Sequence, residues 1–290
     1  MKNTQAENSI KIIMRYFRNE AESIEIQNRL KNIFKKSFIN RETVSFYDWE
    51  CPPRQIKTER DGSKWVNFNI DLKSVVAGKK LDRYTELPKI VSKTKLIKEI
   101  LKALDASRLK YKFYMLVADT NALYLYPDSV KKIGYDRVKK LSLHFQNLLQ
   151  KKSNIFYGQN KIRVVLYTDL QGKFKEEYER SFGVINHDLN SKRNSIVPQN
   201  ILKEWYKYLI GHVGLTKDLE KQKEDLVKRV IASYAAEGIV FRLLDKSKVF
   251  PNPVWINLEE PFFSGATTEL LRERQGISPF PKIYFKKKGL

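Results

Sequence analysis

Residues 112–118, KFYMLVA, run apolar from Phe113 up to Asp119, and the architecture of the chain follows from them. A short run of this kind, without polar alternation, is what a strand buried on both faces looks like, and such strands belong to parallel sheets covered by helices. Residues 162–168, IRVVLYT, repeat the pattern and end at Asp169. Between the two runs Ser129–Leu149 reads as a helix, and after the second Gly172–Phe182 reads as a short charged one. On the N-terminal side, Thr94–Leu104 sets Leu96, Ile97, Ile100, Leu101 and Leu104 on one helical stripe. Further back, Thr43–Trp49 is β-branched and aromatic until Cys51-Pro52-Pro53, a proline pair that cannot continue a central strand. The alternation of strand and helix predicts an α/β fold, a Rossmann-like, mostly parallel sheet with helices on both faces.

The flanks fill in around this centre. Residues 1–20 form a polar lead-in with a helix starting near Ile12 and reaching Phe17, and residues 21–290 are expected to be a single domain. Glu22–Phe38 carries Ile26, Leu30, Ile33, Phe34 and Phe38 at helical spacing. Trp65–Leu72 alternates Val66, Phe68 and Ile70 after Asp61-Gly62, as a hairpin arm does. Residues 183–198 read as a long polar loop. Helices are expected over Gln199–Ile210, Lys217–Ala236 and Thr268–Arg274, and strands over Ile239–Leu244, Val254–Leu258 and Lys282–Phe285.

The charge is the strongest compositional feature. The chain has 290 residues, 55 Lys or Arg against 33 Asp or Glu, and a net charge of +22. With 42% hydrophobic residues it has ample material for a core, so the charge belongs to a folded, polyanion-seeking surface. Lys131, Lys132, Arg137, Lys139, Lys140, Lys151 and Lys152 crowd one helical stretch in which Asp128 and Asp136 are the acids, an arrangement suited to a nucleic-acid backbone. A single cysteine excludes a disulfide framework and a Cys-based zinc site, and three histidines argue against a His-rich one, so no metal is expected. No apolar run is long enough to span a membrane, and MKNTQAENSIKII is too polar for a secretory signal, which predicts a cytoplasmic protein that keeps away from membranes. Nor is there a G-x-G-x-x-G fingerprint, a P-loop or a G-x-S-x-G elbow.

In an open α/β sheet, ligands bind at the carboxyl ends of the strands. Three expected strands end in polar clusters: Asp48, Glu50 and Cys51 with Arg54; Asp119 with Asn121; and Asp169. A parallel sheet brings them to one edge. Asp and Asn also serve as caps and turn formers, a reading that stays open for each of them.

The stretch MLVADTNAL (115–123), the helix containing IGYDRVKKLSLHFQNLL, the strand IRVVLYTDL and the following EEYERSF together resemble the centre of a class I aminoacyl-tRNA synthetase catalytic domain. The H-x-G-H and Lys-Met-Ser-Lys-Ser motifs of that family, which activate ATP, are absent. A synthetase-like domain without adenylation is similar to the tRNA-dependent cyclodipeptide synthases, including their arginine-using branch. Those enzymes carry a Tyr closely followed by a Glu near the end of a long helix, and here Tyr234 and Glu237 stand in a comparable place. The Glu follows by three residues where the bacterial type has four, and Cys51-Pro52-Pro53 replaces the Ser found after the first strand.

The resemblance implies an aminoacyltransferase acting on aminoacyl-tRNA that needs neither metal nor cofactor, with Glu237 holding the substrate ammonium and Tyr234 beside it; the thiol of Cys51, near Arg54, is a candidate acyl acceptor by its own nucleophilicity. Asp48, Glu50, Arg54, Asp119, Asn121 and Asp169 would bind the aminoacyl groups, and the basic helix the tRNA. Read from the residues alone, Tyr234 packs on a helix stripe, Glu237 is a helix-end acid and Cys51 is inert. Two other functions remain open, a non-catalytic RNA-binding module and a tRNA-independent enzyme of the isocyanide-synthase kind.

Overall fold

The computed structural model describes residues 4, 7–8, 11–12, 17–18, 24–58, 60, 64–82, 85, 87–119, 127–191, 217–258 and 282–285. Among these, six strands form one sheet: β1 (Phe17–Arg18), β2 (Val44–Glu50), β5 (Tyr111–Val117), β6 (Ile162–Leu166), β7 (Pro253–Asn257) and β8 (Lys282–Phe285). Their order is β1-β8-β7-β2-β5-β6, and all neighbours are parallel except β1 against β8. Numbered along the chain, the five parallel strands lie 3-2-1-4-5, the doubly wound Rossmann order. A separate antiparallel hairpin pairs β3 (Gln55–Thr58) with β4 (Lys64–Asn67).

The helices divide between the two faces. Along β2, Val44 and Phe46 join a buried cluster with α1 (Ile24–Asn40), α2 (Leu72–Val76), α3 (Lys89–Ser92) and α4 (Thr94–Ala106). Tyr47 and Trp49 point the other way, into a cluster with α8 (Lys175–Asn190) and α9 (Lys217–Lys246). The pleat of a strand alternates its side chains in this manner, so β2, β5 and β7 supply both cores. The remaining helices are α5 (Pro127–Ile133), α6 (Tyr135–Tyr157) and α7 (Tyr167–Gln171). Helix α6 also covers the outer edge of β6. The side-chain amide of Gln150 donates to the carbonyl of Ile162 (3.0 Å) and accepts from the amide of Val164 (2.8 Å), while Gln146 donates to the carbonyl of Val164 (2.9 Å). Two glutamines thus occupy the place of a further strand and close an edge otherwise open to pairing.

The α/β architecture matches its sequence reading, and several elements depart from it. Ile239–Leu244 is not a strand but the last turns of α9. Its apolar residues are buried at Val240, Phe241 and Leu244, the helical spacing continued from Glu237, so the periodicity outweighs the β-branched composition and Gly238. Residues 183–190 are not loop: α8 runs through them because Tyr178, Ser181, Ile185 and Leu189 make one buried stripe. The helix expected over 129–149 is two, parted at Gly134, whose φ of 95° no helix can accommodate. Phe17 stands in β1 opposite Phe285 rather than in a helix. Leu72 opens α2, capped by Asp71, whose carboxylate accepts from Ser74 Oγ (2.6 Å) and from its amide (3.1 Å). The hairpin arm at 64–67 pairs with 55–58, a strand the sequence did not announce. The expected helices over 199–210 and 268–274 lie outside the described residues.

Candidate active site at the carboxyl edge of the sheet

Strand β2 is the pivot. Its pairing with β7 covers Ser45 to Tyr47 and stops at Trp255, whereas its pairing with β5 continues to Glu50 opposite Val117. Beyond Tyr47 the ladder between β2 and β7 ends, at the point where the strand order reverses, the place at which doubly wound folds bind ligands.

Two acids of β2 lie at this switch point and both meet Lys89. Asp48 is fully buried; Oδ2 lies 3.2 Å from Lys89 Nζ, and Oδ1 accepts from Trp255 Nε1 at 3.0 Å. The same ammonium donates to the carbonyl of Trp49 at 2.8 Å. Glu50, also buried, accepts from the backbone amide of Lys89 at 2.6 Å and so caps the start of α3. One turn later Lys93 donates to the carbonyl of Leu258, just past β7. Residues 89–93 therefore tie β2 to the end of β7. An ammonium and a carboxylate this deeply buried each lose hydration worth several kcal/mol, which their attraction and added hydrogen bonds must offset.

At the end of β5, buried Asp119 accepts from the backbone amide of Thr168 at 3.1 Å and from its hydroxyl, which holds the first turn of α7 against β5. Burial raises its pKa above the ordinary carboxylate value; the Thr168 hydrogen bonds oppose this and the nearby charge of Asp169 adds to it. Asp169 itself is exposed in that first turn.

Helix α9 supplies the acid on the other face. It leads through a tight turn into β7, with the amide of Phe250 bonded to the carbonyl of Leu244, and so runs opposite to the strands. Phe241 stacks on Tyr47, ring centroids 4.7 Å apart. Glu237 lies four residues before Phe241 on the same helix, about 6 Å further toward the carboxyl edge. It is buried at 5% exposure. Trp49 packs edge-on against Tyr167 at 5.0 Å and against Phe241 at 6.1 Å, so an aromatic shell lines this end of the sheet. Ala232, Ala235 and Ala236 are buried, and small side chains let the helix approach its neighbours closely. Ser233 hydrogen-bonds Tyr178 of α8 at 2.9 Å, which fixes the rotation of α9.

Of the residues singled out from sequence, Asp48, Glu50, Asp119 and Asp169 therefore stand along one edge. Cys51 is exposed immediately after Glu50, and Arg54 is half-buried. Tyr234 lies on α9, its side chain outside the described residues, as is Asn121. His144 and His187 are exposed, and no group of His, Cys, Asp and Glu able to hold a metal occurs among the described residues. Among them, too, no helix is long and apolar enough to cross a membrane. Sequence reasoning misses Lys89, Trp255 and Tyr167. Lys89 lies in LPKIVSK, which has no amphipathic period, and its distance of about forty residues from Asp48 hides the pairing.

The basic stretch lies on α5 and α6. Helix α6 buries Val138, Ser142, Phe145, Leu149 and Ser153, which turns Arg137, Lys140, His144, Asn147 and Lys151 outward as one ridge. Lys131, Lys132 and Lys139 are exposed as well, while half-buried Lys152 lies over the Phe156 ring at 4.6 Å.

No family model matches the chain, and no curated protein does. Solved structures do. A CDPS from Fluoribacter dumoffii aligns over 84% of this chain and 90% of its own at 13% identity, with a TM-score of 0.47. The PvcA protein of Pseudomonas aeruginosa aligns over 97% and 83% at 11% identity, TM-score 0.49. Leishmania major tyrosyl-tRNA synthetase in complex with tyrosinol aligns over 97% of this chain but 30% of its own, at 10% identity and a TM-score of 0.49.

Proposed function

We propose that this chain is a cytoplasmic aminoacyltransferase of natural-product biosynthesis that takes two aminoacyl groups from aminoacyl-tRNA and joins them into a cyclodipeptide, with arginine as one of the two. The observation that supports this reading is that Glu237 is a buried carboxylate on the long helix α9, one turn before Phe241, which stacks on Tyr47 of the central strand. A low-dielectric surround strengthens the pull of a carboxylate on a cation, and the ammonium of an aminoacyl ester is a cation of the right kind.

The substrate arrives activated as an ester, so the protein needs to align, deprotonate and exclude water. The Cys51 thiolate attacks the first ester carbonyl, the carbon–oxygen bond to the ribose breaks, and the ribose oxygen takes the proton that the thiol gave up. The amine of a second aminoacyl-tRNA, its ammonium held by Glu237 and its proton passed to that carboxylate, attacks the thioester. A peptide bond forms and the thiol is released. The amine of the first residue then attacks the remaining ester, closing the six-membered ring and freeing the second tRNA. Tyr234 hydrogen-bonds at the ammonium. Because Asp48 and Glu50 are engaged by Lys89 and Asp119 by Thr168, Asp169 is the acid that faces a substrate guanidinium. The ridge of α6 meets the tRNA phosphates.

The test is incubation with charged tRNA and mass spectrometry of small products. Wild type releases a diketopiperazine, Glu237→Gln lowers the rate by at least about 100-fold, and Cys51→Ala abolishes a thioester trapped by hydroxylamine. RNA binding without turnover in wild type would sink the reading in favour of a binding module. Product from a free amino acid without tRNA would sink it in favour of a tRNA-independent enzyme.

A further inference from the structure

The opposite, amino edge of the sheet carries a cleft that the proposed chemistry does not use. It has a volume of about 290 Å³, opens where β5 and β6 begin, and is lined by Asp105, Tyr111, Lys112, Asn160, Lys161 and Arg163 among others. Its acid is already satisfied: both oxygens of Asp105 accept from Lys161 Nζ at 3.0 Å, and Oδ1 accepts from the Tyr111 hydroxyl at 2.6 Å. Lys161 is thereby neutralised. Lys112 and Arg163 are exposed, and among the described residues neither has a carboxylate within ion-pair distance. Arg163 pairs in register with Tyr114, so Lys112 is its diagonal neighbour on the same face, about 7–8 Å away. Two cations at this spacing repel each other, and an anion seated between them removes the repulsion.

The chain itself joins the cleft to the basic ridge. Helix α6 ends at Tyr157, and the turn through Gly158 leads directly into Lys161. Its 23 residues span roughly 34 Å, with Arg137 and Lys140 in the first turns and Lys151 toward the cleft. From this continuity we infer that the cleft seats a backbone phosphate of an RNA strand lying along α6, with Lys112 and Arg163 as its ligands, which anchors the RNA at the end of the sheet farthest from Glu237. The inference rests on the reading of the α6 ridge as an RNA contact.

Uncharged tRNA transcript, titrated with the full chain by fluorescence anisotropy across a sodium chloride series, tests it. Lys112→Ala/Arg163→Ala weakens binding about tenfold near 0.1 M salt and reduces the log–log salt slope by about 1.4–1.8, some 0.7–0.9 for each cation withdrawn from the phosphate backbone. Lys112→Arg and Arg163→Lys keep the slope, and Lys35→Ala on α1 changes nothing. Both cleft side chains are exposed, so the alanine variants fold, which circular dichroism checks. An unchanged slope overturns the inference. So does saturable binding of inorganic phosphate, abolished in the double variant, while the RNA slope stays put, because the cleft would then hold a free anion. Turnover is read separately with charged tRNA: a reduced slope in a protein that makes no product removes the proposed reaction and keeps the cleft, and product formation with an unchanged slope does the reverse.

Discussion

The two edges of the sheet use the same residue types in opposite ways. At the carboxyl edge, Asp48, Glu50, Asp119 and Glu237 are all buried, and Lys89 meets the first two, with its ammonium on Asp48 and its amide on Glu50. At the amino edge the acid, Asp105, is about half exposed, as is Lys161 that binds it, and the further cations Lys112 and Arg163 face water. Charge at the carboxyl edge is locked into the fold, so changing it unsettles the structure. Charge at the amino edge stays in solvent, where it is inexpensive to keep and available to a ligand. A protein with a net charge of +22 can therefore hold an acidic interior site without the two systems cancelling.

The same substitution made at each edge is the severest test of that contrast. Lys89→Met leaves Asp48 buried without this ammonium, and the unfolding free energy falls by about 3–5 kcal/mol, read as a lower urea midpoint with the slope unchanged. Lys112→Met, exposed and outside any ion pair among the described residues, stays within about 0.5 kcal/mol of wild type. Equal losses at the two positions would break the comparison. A large loss at Lys89 that is restored by Asp48→Asn in the same chain would sharpen it, since the cost would then be traced to the stranded carboxylate.

How far this contrast could be read from residues alone follows from how local each part is. The apolar runs ending in Asp48-Trp49-Glu50, in Asp119 and in Asp169 located the carboxyl edge, because a parallel sheet forces strand ends together whatever the loops do. The crowding of Lys and Arg with few acids over 131–152 likewise pointed to the basic ridge, and the buried stripe of Val138, Phe145 and Leu149 then set which of them face outward. What stayed hidden depends on partners distant in sequence. Nothing near Lys89 announces that it will neutralise Asp48, and nothing near Trp255 announces the indole bond to the same carboxylate. Asp119 was legible as a polar strand end, yet its bond to Thr168 appears only once β6 lies beside β5. At Ile239–Leu244, β-branched composition pointed to a strand although the burial period was helical; the register continued from Ala235 and Ala236 carried the correct signal.

Smaller effects separate the edges by the sign of their pH dependence. Asp119 has a folded pKa above its ordinary 3.8, chiefly through burial. In the native state it holds its proton longer than in the unfolded chain, so its contribution is fully present below 3.8 and is lost as pH rises through the folded value. Asn at this position removes that decline and flattens stability on the side above pH 4. Asp105 behaves oppositely. Burial works to raise its pKa, but the Tyr111 and Lys161 hydrogen bonds and the Lys161 charge prevail and hold it below 3.8. Its contribution is present above 3.8 and is lost as pH falls through the lowered value. Because the pair is about half exposed to solvent, the effect is about 0.2–1 kcal/mol. Urea midpoints from pH 2 to 7 for wild type, Asp119→Asn and Asp105→Asn make the comparison. Asp105→Asn removes part of the acid-side loss and leaves the curve above pH 4 unchanged; added salt shrinks this difference more than the Asp119 one, since solvent ions screen an exposed pair and reach a buried carboxylate poorly. If both variants altered the same limb of the curve, the two edges would not differ in how they hold their charge.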